Sequence, residues 1–539
     1  MSLTPRQELL QLERRLYRRN KALIEGSVRI RERGFAAYEA RYRRKVAKYA
    51  RVASHEELMA AVRAAEIVYV GDYHTCHQSQ RSFLRILKAL GDDERSHCLI
   101  GLELLHARAQ PLIDAFLAGR CSEEQFVRKV GLKRRWIFDL WANFKPLFDF
   151  AKFHRIPIVG IDASAPTAGL ARRDAHTAAR LAELARRFPD RKLFVFIGDL
   201  HLAPQHLPAA ARRALSAKGL ARRAVVLYQN SEAVYWRLAR AGLDHAVEVV
   251  QLDAHSFCRM HTPPIVCQQS YLNWLEHEEG AIDYVDAKHH FLELVERIAA
   301  FLSIKLGKEK ELVEVYTCGD LSFLRTLREY GDFTPRELAM IRRQILASES
   351  YYVPKRRMVY LANLSLNHAA EEAAHFVKHC ASGAEEPREL VDAFYANVLH
   401  EGLGFFGSKL VNPKRKCFHE KEFGALFAYL RTVRIGPARR VEYETARLVL
   451  EYKRFERRGR PLQYHAIFRQ RPGIFFAVTH AIGYMFGDRL YYGLLDGVTT
   501  KEEIRELFTN PWRRENEPFL AYMGLLMALR DVKIPKRHV

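Results

Sequence analysis

Cysteine is sparse and scattered in this chain, eight residues in 539, and no Cys-x-x-Cys pair occurs anywhere. That spacing excludes a zinc ribbon and a disulfide framework, and it fits a reducing compartment. The opening residues, MSLTPRQELLQLERRLYRRN, hold no apolar h-region and no Cys beside a small-residue cleavage site. Neither a secretory nor a lipoprotein signal is therefore expected. Long apolar runs are lacking too. The uncharged stretch Gly473–Gly487 contains a His and three Gly and falls short of the ~20 residues a span needs. No solenoid repeat and no low-complexity tract is present. With 48% hydrophobic and 28% charged residues, the chain is globular, and a cytoplasmic location is the expectation.

Acidic residues are outnumbered, 63 against 86 Lys and Arg, for a net charge of +23. Residues 1–54 hold 15 Lys or Arg against 5 Glu and so carry 10 of the 23 excess charges. A basic helix of this kind can meet nucleic acid, anionic lipid or another anionic partner. No nucleic-acid motif accompanies it, so a solvated Arg-rich helix packing one apolar stripe is the plainer reading. Thr4-Pro5-Arg6-Gln7 reads as a capping box, and Leu9, Leu12, Leu16 and Leu23 follow at helical spacing.

At this length two or three domains are expected. We read a basic helical segment over 1–54, an α/β domain over 55–264 and a helical region over 265–539. Ser54–Glu57 is a second capping box, opening a helix to about Ala64. Apolar runs then alternate with helical stretches. Ile67–Val70 ends in Gly71-Asp72-Tyr73-His74 and precedes a helix over Ser79–Leu90. Cys98–Leu102 ends at Glu103 and precedes a helix over Pro111–Leu117, and Ile156–Ile161 ends at Asp162. Leu193–Ile197 ends in Gly198-Asp199-Leu200-His201, and Ala224–Tyr228 and Ala246–Leu252 complete six runs. Continuous apolar strands separated by helices predict a mainly parallel sheet covered on both faces. After about Pro264 such runs disappear and helical patterns dominate, with capping boxes at Thr334–Glu337 and Thr500–Glu503 and a charged loop at Lys414-Arg415-Lys416.

In open parallel sheets the ligand crevice lies outside the carboxyl ends of the strands. Ionisable residues end four of the six runs: Asp72 with His74, Glu103, Asp162, and Asp199 with His201. Charged groups beside a core are costly unless paired, ligating or catalytic. The tetrapeptide Gly-Asp-x-His stands at two strand ends 127 positions apart, where Gly71 and Gly198 allow a tight turn and an open crevice. We expect His74, Glu103 and His201 to converge, with Asp72 and Asp199 each fixing the tautomer of the His two residues on. His77, His106, His154 and His176 read as surface or helix positions. Trp136, Trp141 and Phe144 read as core. In the second half, His368, Glu372, His375 and His379 share one helix face. They lack the His-Glu-x-x-His order of a zincin and read as satisfied polar groups.

The runs VYVGDYHTCHQSQRSFLRILKAL, IGLELLHARAQPLIDAFLAG, WANFKPLFDFAKFHRIPIVGIDAS and FVFIGDLHLAPQHLP follow one another between about residues 60 and 250. In that order they resemble the ChaN-like haem-binding family, part of a wider group with the erythromycin esterases and the Tiki and TraB proteins. The resemblance does not extend to the second half. It places the family's first motif on Gly71, Asp72 and His74, with Asp where Glu is usual. Its buried Glu falls on Glu103, and its second Gly-x-x-His on Gly198 and His201. In the esterase and Tiki-like branches such residues look like a general base or metal ligands; in the ChaN-like branch the crevice is associated with haem. Two features depart from that family. Its members are typically exported lipoproteins, and a Tyr commonly precedes the Lys/Arg-Pro step where this chain has Phe144.

The leading expectation is a protein that holds haem, or a related iron cofactor, against Gly71, Asp72, Tyr73, His74, Glu103, Asp162, Gly198, Asp199 and His201. Tyr73, His74, His77 or His201 would be the axial donor, with Leu200, Leu202 and Leu207 as apolar flank. The alternative is a hydrolase using His74, Glu103 and His201, with a divalent metal on the same three residues. A third reading is a non-catalytic scaffold that meets an anionic surface or partner through the basic helix, or forms a homodimer.

Overall fold

The computed structural model describes residues 3–27, 34–132, 140–162, 169–278, 284–317, 322–346, 350–361, 365–383, 388–433, 435–458 and 466–535. Contacts divide the chain into two compact units, Arg15–Ala281 and Met1–Arg14 with Ile282–Val539.

The first unit is built on an eight-stranded sheet. Its strands are β1 Arg51–Ala53, β2 Ile67–Asp72, β3 Cys98–His106, β4 Ile158–Asp162, β5 Lys192–Gly198, β6 Ala224–Gln229, β7 Val249–Asp253 and β8 Ser256–Arg259. They lie in the order β1-β7-β8-β6-β2-β5-β3-β4. Every residue of β2, β3 and β4 is buried, the reason these segments are apolar without alternation: helices cover both faces. The run β8-β6-β2-β5-β3-β4 is parallel throughout. The fold is thus the expected α/β class, a mainly parallel sheet covered by helices.

Register decides what meets at the carboxyl edge. Asp72 of β2 stands opposite Gly198 of β5, and Leu102 of β3 opposite Phe196 of β5. The two Gly-Asp-x-His motifs therefore end adjacent strands, and Glu103 lies next to the second. Trp141 and Phe144 are buried in the core as expected; Trp136 lies outside the described residues.

Three differences sit at the far edge of the sheet. The run at Ala246–Leu252 forms β7 at Val249–Asp253, and it pairs antiparallel with β8. Neither β8 nor β1, which pairs antiparallel with β7, is read from the sequence. Strands of three or four residues are too short to show a pattern, and their pairing closes the sheet edge instead.

The second unit is helical, with a small three-stranded sheet of β9 Glu314–Thr317, β10 Tyr351–Val353 and β11 Met358–Leu361. Its core gathers around two helices apolar on all sides, Leu390–Val411 and Pro472–Leu495. Their backbones nearly touch: a Cβ on Gly487 would lie 2.2 Å from the Gly402 carbonyl oxygen. Leu9 of the N-terminal helix Pro5–Ser27 is buried in this same core. Among the described residues, no helix is long and apolar enough to cross a membrane.

Candidate functional site

Glu103 is the centre of the carboxyl edge. It projects from the middle of β3, fully within the core, where an unpaired carboxylate would be costly. The Gly198 N–H donates to its Oε2 at 2.6 Å, and Arg173, from the helix Leu170–Arg187 that follows β4, donates to its Oε1. The same guanidinium reaches Asp162 Oδ1 through Nε at 3.1 Å. His74 Nε2 lies 3.8 Å from Oε2 and His201 Nε2 3.4 Å from Oε1. His74, Glu103 and His201 thus meet, and Arg173 ties Asp162 to them.

Each histidine is held by its other ring nitrogen. His74 Nδ1 contacts Asp72 Oδ2 at 2.7 Å, and Gln80 donates to the second Asp72 oxygen at 2.6 Å. The expected pairing within the first motif is therefore in place. The second motif behaves differently. His201 Nδ1 contacts Asp174 Oδ1 at 2.7 Å, and the Tyr38 hydroxyl donates to Asp174 Oδ2 at 2.8 Å. Asp199 does not orient His201: it accepts from the Tyr42 hydroxyl at 2.5 Å. The turn after β5 is a short 3-10 helix, Asp199–Leu202, which sends the Asp and His side chains apart.

The glycines of the two motifs also serve differently from a turn requirement. Neither Gly71 nor Gly198 has a positive φ. Gly71 is needed for space, because a Cβ there would lie 1.4 Å from Asp199 Oδ1.

The electrostatics follow from this crowding. Burial disfavours a charged His201, yet Glu103 and Asp174 outweigh it and push the imidazole up to about 9. Burial likewise opposes the Glu103 carboxylate, but His201, His74 and Arg173 hold it well below the usual range. His74 is raised as well, with burial overcome by Asp72 and Glu103. Asp199 is pushed up to about 7 by burial, against the Tyr42 hydrogen bond. Near neutrality His201 is thus an imidazolium locked between two carboxylates. His74 is the reachable ring of the pair, its side chain 26% exposed against 5% for His201.

Several expected residues fall elsewhere. Leu202 and Leu207 are fully buried, so they pack inward and offer no open apolar face; Leu200 is half-buried. The Tyr73 hydroxyl is raised by burial and by Cys267 and Cys76, and His77 bonds Gln78 at 3.0 Å. His106, read as a surface or helix position, is instead buried at the end of β3, opposite Asp162. In the second unit Glu372 and His375 are buried 3.4 Å apart, and His375 stacks on His400 with ring centres 4.0 Å apart.

Sequence reasoning missed Tyr38, Tyr42, Gln80, Arg173 and Asp174. Tyr38 and Tyr42 stand one turn apart on the basic helix Phe35–Lys45, and Tyr38 also stacks on His206 at 3.5 Å. Their i, i+4 spacing was the available signal that this helix has one face committed to the protein.

Residues 58–193 match the family model described as haem-binding uptake, Tiki superfamily, ChaN. The matched segment contains His74, Glu103, Asp162 and Arg173, and it stops before Gly198 and His201. No curated protein matches the chain. A solved structure titled "Cofacial heme binding to ChaN of Campylobacter jejuni" is similar at 13% identity, covering 33% of this chain and 86% of that one, with a TM-score of 0.25.

Proposed function

We propose that the α/β unit binds haem at the carboxyl edge of its sheet, with His74 as the axial donor. The observation that carries this reading is the Asp72–His74 pair. A carboxylate on Nδ1 fixes the ring and raises its basicity, with Nε2, on the side of Glu103, as the nitrogen that would ligate. The description of the matched family supports the choice of haem. The donor chemistry fits, while Leu202 and Leu207 pack inward and supply no apolar slot. Once bound, haem would supply redox or ligand-binding chemistry. The chain supplies the donor, its orienting carboxylate and the fixed charge of Arg173 and His201.

The test is titration of the purified protein with haem, followed by absorbance, and then His74→Ala. Wild type should give a saturable shift of the Soret band that the variant loses. Because ligation needs unprotonated Nε2 and the His74 pKa is raised, affinity should climb with pH through and above the ordinary histidine range. Absence of any saturable shift in the wild type would end the haem reading.

One observation favours hydrolysis as a second reading: His74, His201, Arg173 and the Gly198 N–H all converge on Glu103. With Glu103 held ionised, His74 would be the general base and Glu103 its electrostatic support. Turnover of an ester by haem-free protein, abolished in His74→Ala, would favour it over haem binding.

A further inference from the structure

We propose that the helical unit carries a transition-metal site of the zinc class, formed by Cys417, His419 and Asp488. The three come from two places in the fold. Cys417 and His419 lie on the segment after the helix Leu390–Val411, with His419 immediately before the helix Glu420–Thr432; Asp488 lies inside the apolar helix Pro472–Leu495. Cys417 Sγ is 3.5 Å from His419 Nε2, and that same nitrogen is 2.9 Å from Asp488 Oδ2. All three donor atoms lie within 4.8 Å of one another.

A hydrogen-bonded Asp–His pair accounts for the second distance and leaves the first as a contact between sulfur and an imidazole nitrogen already engaged. One ring nitrogen either donates to the carboxylate or accepts from the S–H; it cannot do both. A cation at the centre satisfies all three. An ion bound ~2.3 Å from a thiolate and ~2.0 Å from an imidazole, at tetrahedral angles, sets S and N ~3.5 Å apart and N and O ~3.3 Å apart. The Cys417–His419 and His419–Asp488 spacings therefore need an adjustment of only a few tenths of an ångström, and the Cys417–Asp488 pair lies within 4.8 Å. Cys417 Sγ also stands 3.6 Å from the Tyr484 carbonyl oxygen, a long contact that ligation would release.

The carboxylate is prepared for this role. Asp488 and Lys409 are fully buried, and Lys409 Nζ sits 2.8 Å from Asp488 Oδ1. That cation takes the outer oxygen and leaves Oδ2 facing the centre, as the supporting partner of a ligating carboxylate does. The thiolate gives a dication one negative charge, and the Asp488 carboxylate shares its own between the ion and Lys409. Three protein donors leave a fourth position for water or a substrate atom, the pattern of an open rather than a closed zinc site, and His419 is partly exposed at 28%. This site belongs to the helical unit and does not depend on the haem reading.

The full-length chain, stripped with chelator, should be titrated with Co²⁺ as the probe. The expected result is one equivalent bound with a sulfur-to-cobalt charge-transfer band, displaced by Zn²⁺. Cys417→Ser should abolish the band while far-ultraviolet circular dichroism stays unchanged. His419→Ala should weaken Co²⁺ by roughly 10-fold or more. Should either variant lose its helical signal, His419→Gln repeats the test at the more exposed position. No thiolate band in the wild type, or a band that survives in Cys417→Ser, overturns the proposal.

Discussion

Asp72 sets which nitrogen of His74 faces Glu103, because its Oδ2 holds Nδ1 at 2.7 Å while Gln80 anchors its other oxygen. Asp72→Asn removes the charge and offers a donor or a weaker acceptor to the ring. We expect haem affinity to fall by about 10- to 100-fold with the fold retained, as read by titration alongside circular dichroism; unchanged affinity would remove Asp72 from the site. Asp199 makes a different prediction, since it answers to Tyr42 and to burial. Its folded pKa of about 7 lies above the ordinary 3.8, so the folded protein holds that proton more tightly than the unfolded chain. The resulting stability is fully present below about pH 4 and is lost as pH rises through about 7, at most about 4 kcal/mol. Asn cannot ionise, and it keeps an oxygen for Tyr42. The urea midpoint of the wild type should therefore drop further than that of Asp199→Asn between pH 5 and pH 8. Parallel behaviour of the two proteins would show that Asp199 is not a buried acid.

At the scale of elements, the edge of the site depends on how closely the basic helix Phe35–Lys45 and the ends of β2 and β5 approach. Tyr38 donates to Asp174, which in turn holds His201. Tyr38→Phe leaves the stacking on His206 possible but deletes a buried charge-assisted hydrogen bond. A loss of about 1.5–3 kcal/mol in unfolding free energy is expected, and equal stability of the two proteins would place the helix off the site. Gly71→Ala attacks the strand end itself. The new methyl would collide with Asp199 Oδ1 at 1.4 Å, and relief requires that side chain to swing away from Tyr42. A cost of about 1–3 kcal/mol, typical of overpacking, should appear as a lower melting temperature. The helices that cover the sheet were legible from apolar periodicity. The docking of Phe35–Lys45 was not, because a basic helix with two tyrosines reads equally well as a solvated one.

For the whole molecule, the division between the two units falls inside the N-terminal helix Pro5–Ser27. Leu9 is buried in the core of the helical unit, where Lys501 pairs with Glu8 at 2.6 Å. Further along, the Tyr17 hydroxyl donates to Glu232 at 2.5 Å in the α/β unit. Leu9→Ala should therefore destabilise the unit farthest from it in sequence, by about 2–5 kcal/mol. Thermal unfolding followed by calorimetry should show the effect in the transition of the helical unit, with the α/β unit unaffected. A shift confined to the α/β unit would contradict the placement of Leu9.

The linear chain determined the parallel α/β class, because strands buried on both faces are apolar along most of their length, as β2, β3 and β4 are up to Gly71, Leu102 and Ile161. It also marked where ionisable residues collect: at or just past the ends of β2, β4 and β5, and at Glu103 within β3, where Arg173 pairs the charge. His74, Asp72, Glu103 and His201 were legible for that reason. Tertiary structure decided the partners. Parallel register set Asp72 beside Gly198, a 3-10 turn sent Asp199 to Tyr42 and His201 to Asp174, and Arg173 arrived from a helix with five arginines, where no local pattern marks one out. Hydrogen-bond partners are chosen by distances of a few tenths of an ångström between segments far apart in the chain, and no local pattern of residue types carries that information.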